Sequence, residues 1–154
     1  METFNSRKRY DGFSTVFRQW KAVDTHCSKL HGYGIYFDVT FEGDLDHRNW
    51  VADFGLLKRA KTQIDGMNAK AWMDYMFDHT TIIAEDDPYI DHFKQMNLDG
   101  IIQLRVLPAV GAEQFAKFIY DKINAFVQEE TGGRVKVARV DVYEHEKNSA
   151  SYKP

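Results

Sequence analysis

Cysteine and proline are scarce in this chain. A single cysteine among 154 residues, Cys27, has no partner for an internal disulfide and cannot build a multi-cysteine zinc site. Charge of one sign is also missing. Twenty basic residues against 23 acidic ones give a formal net charge of −3. That removes the basic field a nucleic-acid binder needs, so no nucleic-acid partner is expected. The triplet RKR at 7–9 is too short to change this; at most it would meet a phosphate-bearing ligand. No apolar run approaches the roughly eighteen residues of a membrane-spanning helix, and no membrane partner is expected. No apolar segment follows METFNSRKRY, so no signal peptide is expected, and the cytoplasm is the default compartment. There is no repeat, low-complexity tract or linker. A single domain over residues 1–154 follows from length.

What is present is aromatic, alternating sequence. FSTVFRQW, from Phe13 to Trp20, reads as a strand, and Leu30 to Gly43 reads as a second, longer one with Tyr33, Ile35, Phe37, Val39 and Phe41 on one face. A hairpin between them is the economical pairing, with a polar turn from Lys21 to Lys29. Asp53 stands as a helix cap before FGLLKRAKTQI, and a short apolar run, AWMDYMF, leads to Asp78 and His79. A short helix is expected over Asp87 to Asn97, with Pro88 in its first turn, and a strand over Ile101 to Leu107. The clearest helix runs from Glu113 to Glu130 with an apolar stripe closed by Gly132-Gly133. The last strand is Val135 to His145, alternating cleanly. The expected class is α+β, an antiparallel sheet with helices on one face. Such long aromatic strands offer more sheet than one small chain can cover, so an oligomer that closes the sheets into a barrel is expected.

Three places carry chemistry. Cys27 has His26 before it, His31 four residues on and Lys29 between them, and positive neighbours raise a thiol's thiolate fraction. The alternative is a small hydrophobe beside a solvated loop. Asp78-His79 is a carboxylate next to an imidazole, which suits acid–base work, although adjacent residues need not touch. Glu144 lies near the end of the last strand, where alternation from Val135 places it opposite the face of Val137; a carboxylate there can accept paired donors from a planar guanidine-like edge, or can simply face solvent.

Five short segments, in order, carry a resemblance. Cys27 to Tyr33 reads C-x-x-L-H-G-Y. Val51-Ala52-Asp53-Phe54-Gly55 is followed by Leu57-Lys58, then come Phe77-Asp78-His79, Val110-Gly111-Ala112-Glu113, and Tyr143-Glu144 through Ser149-Ala150-Ser151-Tyr152. Together, over residues 13 to 152, they resemble the 6-pyruvoyl tetrahydropterin synthase and 6-carboxy-tetrahydropterin synthase family. The resemblance implies the tunnelling fold: a four-stranded antiparallel sheet with two main helices on one face, assembled into an oligomeric barrel, commonly a hexamer of two trimers. It implies a lyase acting on 7,8-dihydroneopterin triphosphate, with Cys27 as the proton-shuttling thiolate. Asp78 and His79 would be the acid–base pair supplied across a subunit interface, and Glu144 the anchor of the pterin ring. The carboxy branch yields 6-carboxy-5,6,7,8-tetrahydropterin and acetaldehyde on the way to 7-deazaguanine compounds such as queuosine. The alternatives are the 6-pyruvoyl branch and a pterin-binding protein without turnover.

The resemblance also implies zinc held by three histidines, and here the sequence departs from it. Phe17 stands where the first ligand is expected and Tyr33 where the third is, so only His31 remains. Zinc, or another divalent metal, would then need a relocated set built on His31 and His26, with Asp24 or the thiolate completing it. A different or weaker metal using Tyr33, or no metal at all, are the other readings.

Overall fold

The computed structural model describes residues 2–154. In chain order its elements are β1 (Phe4–Tyr10), β2 (Thr15–Phe17), β3 (His31–Tyr33), β4 (Tyr36–Gly43), α1 (Leu56–Arg59), β5 (Gln63–Ile64), β6 (Met67–Asn68), α2 (Ala69–Phe77), β7 (Thr80–Ala84), α3 (Ile90–Leu98), β8 (Leu104–Leu107), α4 (Ala112–Glu130), β9 (Val135–His145) and β10 (Asn148–Tyr152). The larger sheet is antiparallel in the order β1-β4-β9-β10, which is the expected four-stranded sheet. A second sheet, β3-β2-β7-β8, is mixed: β2 pairs antiparallel with β3 and parallel with β7, and β7 pairs parallel with β8.

Several expectations need correction. The sequence from Leu30 to Gly43 is not one strand. Its alternation runs unbroken through a change of sheet, with β3 joining β2 and β4 joining β1 and β9. The expected hairpin therefore exists only as the three-residue pairing of β2 and β3. The helix after Asp53 is four residues long, and its N-cap is Gly55. Asp53 accepts from the Gly55 amide at 2.7 Å and pairs with Arg59 instead. The chain beyond it forms the β5–β6 hairpin across Asp65-Gly66, both with positive φ (50° and 78°), the pair a two-residue turn favours. The AWMDYMF run is helical, in α2, and the Thr-Thr-Ile-Ile run is the buried strand β7.

α4 lies over β9 and β10, burying Phe115, Ile119, Ile123 and Phe126 against the apolar face of the larger sheet. The opposite face of that sheet is polar. Arg9 forks onto the buried Asp38 at 2.8 and 3.0 Å and lies over the rings of Tyr36 and Tyr143. Arg139 pairs with Asp141, and Lys136 with Glu42. Arg9 is thus already engaged, which removes one of the three charges of RKR from any role toward phosphate. Among the described residues no helix is long and apolar enough to cross a membrane.

One irregularity in β9 matters for the site. Thr40 opposes Arg139, but Phe41 opposes Val137, so Ala138 is an extra residue, a β-bulge. Buried residues are Val135 and Val137 before it and Val140 and Val142 after it. The bulge reverses the parity of the strand. Glu144 therefore shares the face of Val140 and Val142, the helix-covered side, and not the face that clean alternation from Val135 predicts.

Candidate functional site

The site is built around the β2–β3 pair, in the register Thr15↔Tyr33, Val16↔Gly32 and Phe17↔His31. This register brings together the side chains of residues 17, 31 and 33. Phe17 is fully buried, with its edge against Phe115 of α4 at 5.0 Å. Tyr33 stacks on Phe17 with centroids 4.2 Å apart and planes 15° apart, and His31 lies against Tyr33 at 4.4 Å. The three form a column running from the core to the surface. His31 Nδ1 lies 2.7 Å from the Lys29 carbonyl. A carbonyl only accepts, so Nδ1 carries a proton and only Nε2 of this ring faces another partner.

Cys27 sits at the surface, as expected, in a single 3-10 turn over His26–Ser28. The turn is tied down at several points. The Thr25 hydroxyl accepts from the Cys27 amide at 3.2 Å, and the Gln19 amide donates to the Cys27 carbonyl at 2.8 Å. Arg18 donates through Nη1 to the Ser28 carbonyl at 3.1 Å. Its other two donors fork onto Asp87, both at 2.8 Å, and the Asp87 side chain is only 1% exposed. Sequence reasoning did not single out Arg18. Its carboxylate partner lies 69 positions away, and no local pattern announces such a pair.

Glu144 is brought toward the column by the bulge. Burial first, and then the negative charges of Glu144 and Cys27, push the Tyr33 phenol up to about 12. Tyr33 thus stands in the field of both residues and stays neutral through the physiological range.

Asp78 and His79 do touch. His79 Nδ1 lies 3.0 Å from Asp78 Oδ1, and that same oxygen accepts from the Ser14 amide at 3.1 Å. His79 has φ of 56°, a left-handed conformation that is costly for a residue with a Cβ, and its side chain is 75% exposed. The Ser14 amide above all holds the Asp78 carboxyl below its ordinary value; burial opposes it, and the hydrogen bond and charge of His79 add to the lowering. A carboxylate with a lowered folded-state pKa adds stability above its unfolded value, about pH 4, and loses it as pH falls through the folded value. Asp78→Asn should therefore be less stable than wild type by urea unfolding at neutral pH, with the gap closing in acid. A gap that stayed constant with pH would take the carboxylate out of the account.

Asp78 is anchored at Ser14 and the Cys27 turn at Gln19, five residues further along the chain.

The donor set does not fit an ion. Catalytic zinc takes about three protein ligands, with Zn–N bonds near 2.0–2.1 Å. Of the three converging positions one is an apolar ring and one a neutral phenol, and their stacked faces leave no space between them. Among the described residues, no group of three or more His, Cys, Asp or Glu side chains could hold a metal ion. His31 and His26 are both exposed and have no such third partner with them.

A family model described as 6-pyruvoyl tetrahydropterin synthase matches residues 6–154. A 6-carboxy-5,6,7,8-tetrahydropterin synthase of Rickettsia typhi is 35% identical over 65 residues, covering 42% of this chain and 41% of that protein. The match thus spans less than half the length of that relative. Two solved structures share the fold over nearly their whole length. An uncharacterized protein of Wolinella succinogenes has a TM-score of 0.78 at 21% identity, covering 99% of each chain. The Caenorhabditis elegans 6-pyruvoyl tetrahydropterin synthase has a TM-score of 0.63 at 18% identity, covering 100% of this chain and 97% of that one.

Proposed function

We propose, from the premise that this chain belongs to the 6-pyruvoyl tetrahydropterin synthase family, that it is a lyase acting on 7,8-dihydroneopterin triphosphate. The observation that carries the reading is an exposed thiol in the turn between β2 and β3, with the half-buried Tyr33 stacked on Phe17 in the same strand pair and the strand-end Glu144 turned to the helix side. Glu144 accepts the paired N–H donors of the amino-pyrimidine edge, which fixes the ring. Cys27 takes a proton from the substrate side chain, and the Asp78–His79 pair holds and returns protons. The exposure of His79 favours a pair that serves a neighbour's thiol. Outer strands β1 and β10 offer unpaired edges for assembling such neighbours into a barrel, with the polar sheet face lining its interior. A hexamer of two trimers is the assembly this favours.

The 6-pyruvoyl product, formed with loss of triphosphate, is the first reading, because the family description that spans residues 6–154 carries it. The 6-carboxy product, formed with acetaldehyde and triphosphate on the route to 7-deazaguanine compounds, is the second, favoured by the 35% identity to the Rickettsia typhi protein. Incubation with 7,8-dihydroneopterin triphosphate separates them. Triphosphate with a pyruvoyl pterin supports the first, and acetaldehyde supports the second. Pterin binding without any product would leave a binding protein, and neither binding nor product would overturn the proposal. Glu144→Ala should weaken pterin affinity about 30-fold, the loss of a charged acceptor for two donors. Unchanged affinity by fluorescence titration would make Glu144 a bystander.

A further inference from the structure

The three converging positions of the β2–β3 pair hold a phenylalanine, a tyrosine and a histidine, and their rings are already in contact. We infer that this site works without a bound metal ion, its centre filled by the Phe17–Tyr33 stack, and that the Tyr33 hydroxyl is a polar group this column presents to the ligand. The inference rests on the pterin reading for the identity of the ligand, but not for the absence of the ion.

Four observations carry it. Phe17 is fully buried with Phe115 packed against it, so an ion and its water would have to displace a core ring. Tyr33 lies face to face on Phe17 at 4.2 Å, which is van der Waals contact. His31 is committed through Nδ1 to the Lys29 carbonyl, which leaves only Nε2 of this ring to face another partner, and no group of three candidate ligands is gathered among the described residues. The column is not inert, however. Tyr33 is half-buried, lies between Phe17 and His31, and carries the one hydroxyl in the stack. A neutral phenol donates a hydrogen bond to a carbonyl or hydroxyl oxygen of a substrate side chain. That polarises the oxygen without the charge an ion would bring.

The test uses the full chain and zinc alone as its first probe. Protein purified from zinc-supplemented medium should contain less than about 0.1 metal per chain by elemental analysis, and titration with zinc should show no tight site. The double variant Phe17→His/Tyr33→His should gain about one zinc per chain, because it restores three imidazoles at the converging positions. One equivalent of metal in the wild type, lost in His31→Ala, would overturn the inference. So would a folded double variant that takes up no zinc, since the three positions would then not converge. The second probe is neopterin. Tyr33→Phe keeps the stack and removes only the hydroxyl, so it should lower neopterin affinity about tenfold with the thermal midpoint unchanged. Unaltered affinity would remove Tyr33 from the ligand. If the wild type binds neither zinc nor neopterin, the functional proposal fails while the metal-free centre stands, so the two failures are told apart.

Discussion

Cys27→Ala is expected to lower turnover of 7,8-dihydroneopterin triphosphate by about 10³-fold, the scale of a lost general base, while leaving the fold and the size-exclusion profile unchanged. The two halves of this expectation have separate causes. The Cys27 thiol is exposed and packs into no core, and an exposed substitution away from special features changes stability by no more than about 0.5 kcal/mol. The turn that carries it is held by backbone groups and by side chains other than its own: the Thr25 hydroxyl, the Gln19 amide and Arg18. Alanine keeps all of these contacts. The loss is therefore expected in kcat, with pterin affinity nearly intact, because the proposed ring anchor, Glu144, is untouched. Steady-state kinetics together with a thermal melt and a size-exclusion profile check it. Wild-type turnover in Cys27→Ala would remove the thiol from the mechanism. A lowered melt or an altered size-exclusion profile would show that the residue is structural instead.

How far the sequence reveals this arrangement depends on how local each determinant is. β9 begins and ends where its pattern predicts, at Val135 and His145, and α4 begins one residue early, at Ala112. Both are bounded by the left-handed glycines Gly132 and Gly133, and both carry their periodicity in contiguous residues. β1 does not reveal itself, because FNSRKRY buries only Tyr10. It is a strand because β4 pairs with it, and that cause lies some thirty residues downstream. The change of sheet between Tyr33 and Tyr36 is invisible for the opposite reason: alternation continues through it, and periodicity reports which face is buried but not which sheet owns the strand. The four proposed site residues Cys27, Asp78, His79 and Glu144 are legible as motifs. Their geometry is not. The bulge at Ala138, which turns Glu144 to the helix side, has no signature in VKVARVDVYEH beyond two apolar pairs whose parities disagree. The column of Phe17, Tyr33 and His31 is readable as a set of missing ligands, whereas the contact among the rings needs the β2–β3 register.

Phe77→Ala is expected to carry the largest stability effect and to reach the site as well. The ring is fully buried and has Phe13, Phe37, Trp72, Phe115 and Phe118 around it, with centroids 5.8 to 6.5 Å away. It joins the apolar face of the larger sheet, through Phe37, to α4, through Phe115 and Phe118. Emptying such a position costs about 4 kcal/mol, the lost transfer energy plus an unrelaxed cavity. A chain with about 5–15 kcal/mol in total would lose a large share of it. Urea unfolding should show the midpoint fall with little change in slope, and Phe77→Leu should recover more than half of the loss. The same residue is the last of α2, directly before Asp78. Its carbonyl accepts from the buried Thr15 hydroxyl at 2.7 Å, which ties the end of α2 to β2, the strand that also carries Phe17. When the ring no longer fixes the end of α2, the Asp78 carboxylate loses its aim at the Ser14 amide, and His79, in its strained conformation, loses the partner that orients it. Turnover should therefore drop at temperatures well below the melt, where the fold is still populated, and Phe77→Leu should restore both properties together. If stability fell by the expected amount while turnover per folded molecule stayed at the wild-type value, the Asp78–His79 pair would be independent of the core beneath it, or would play no part in the reaction.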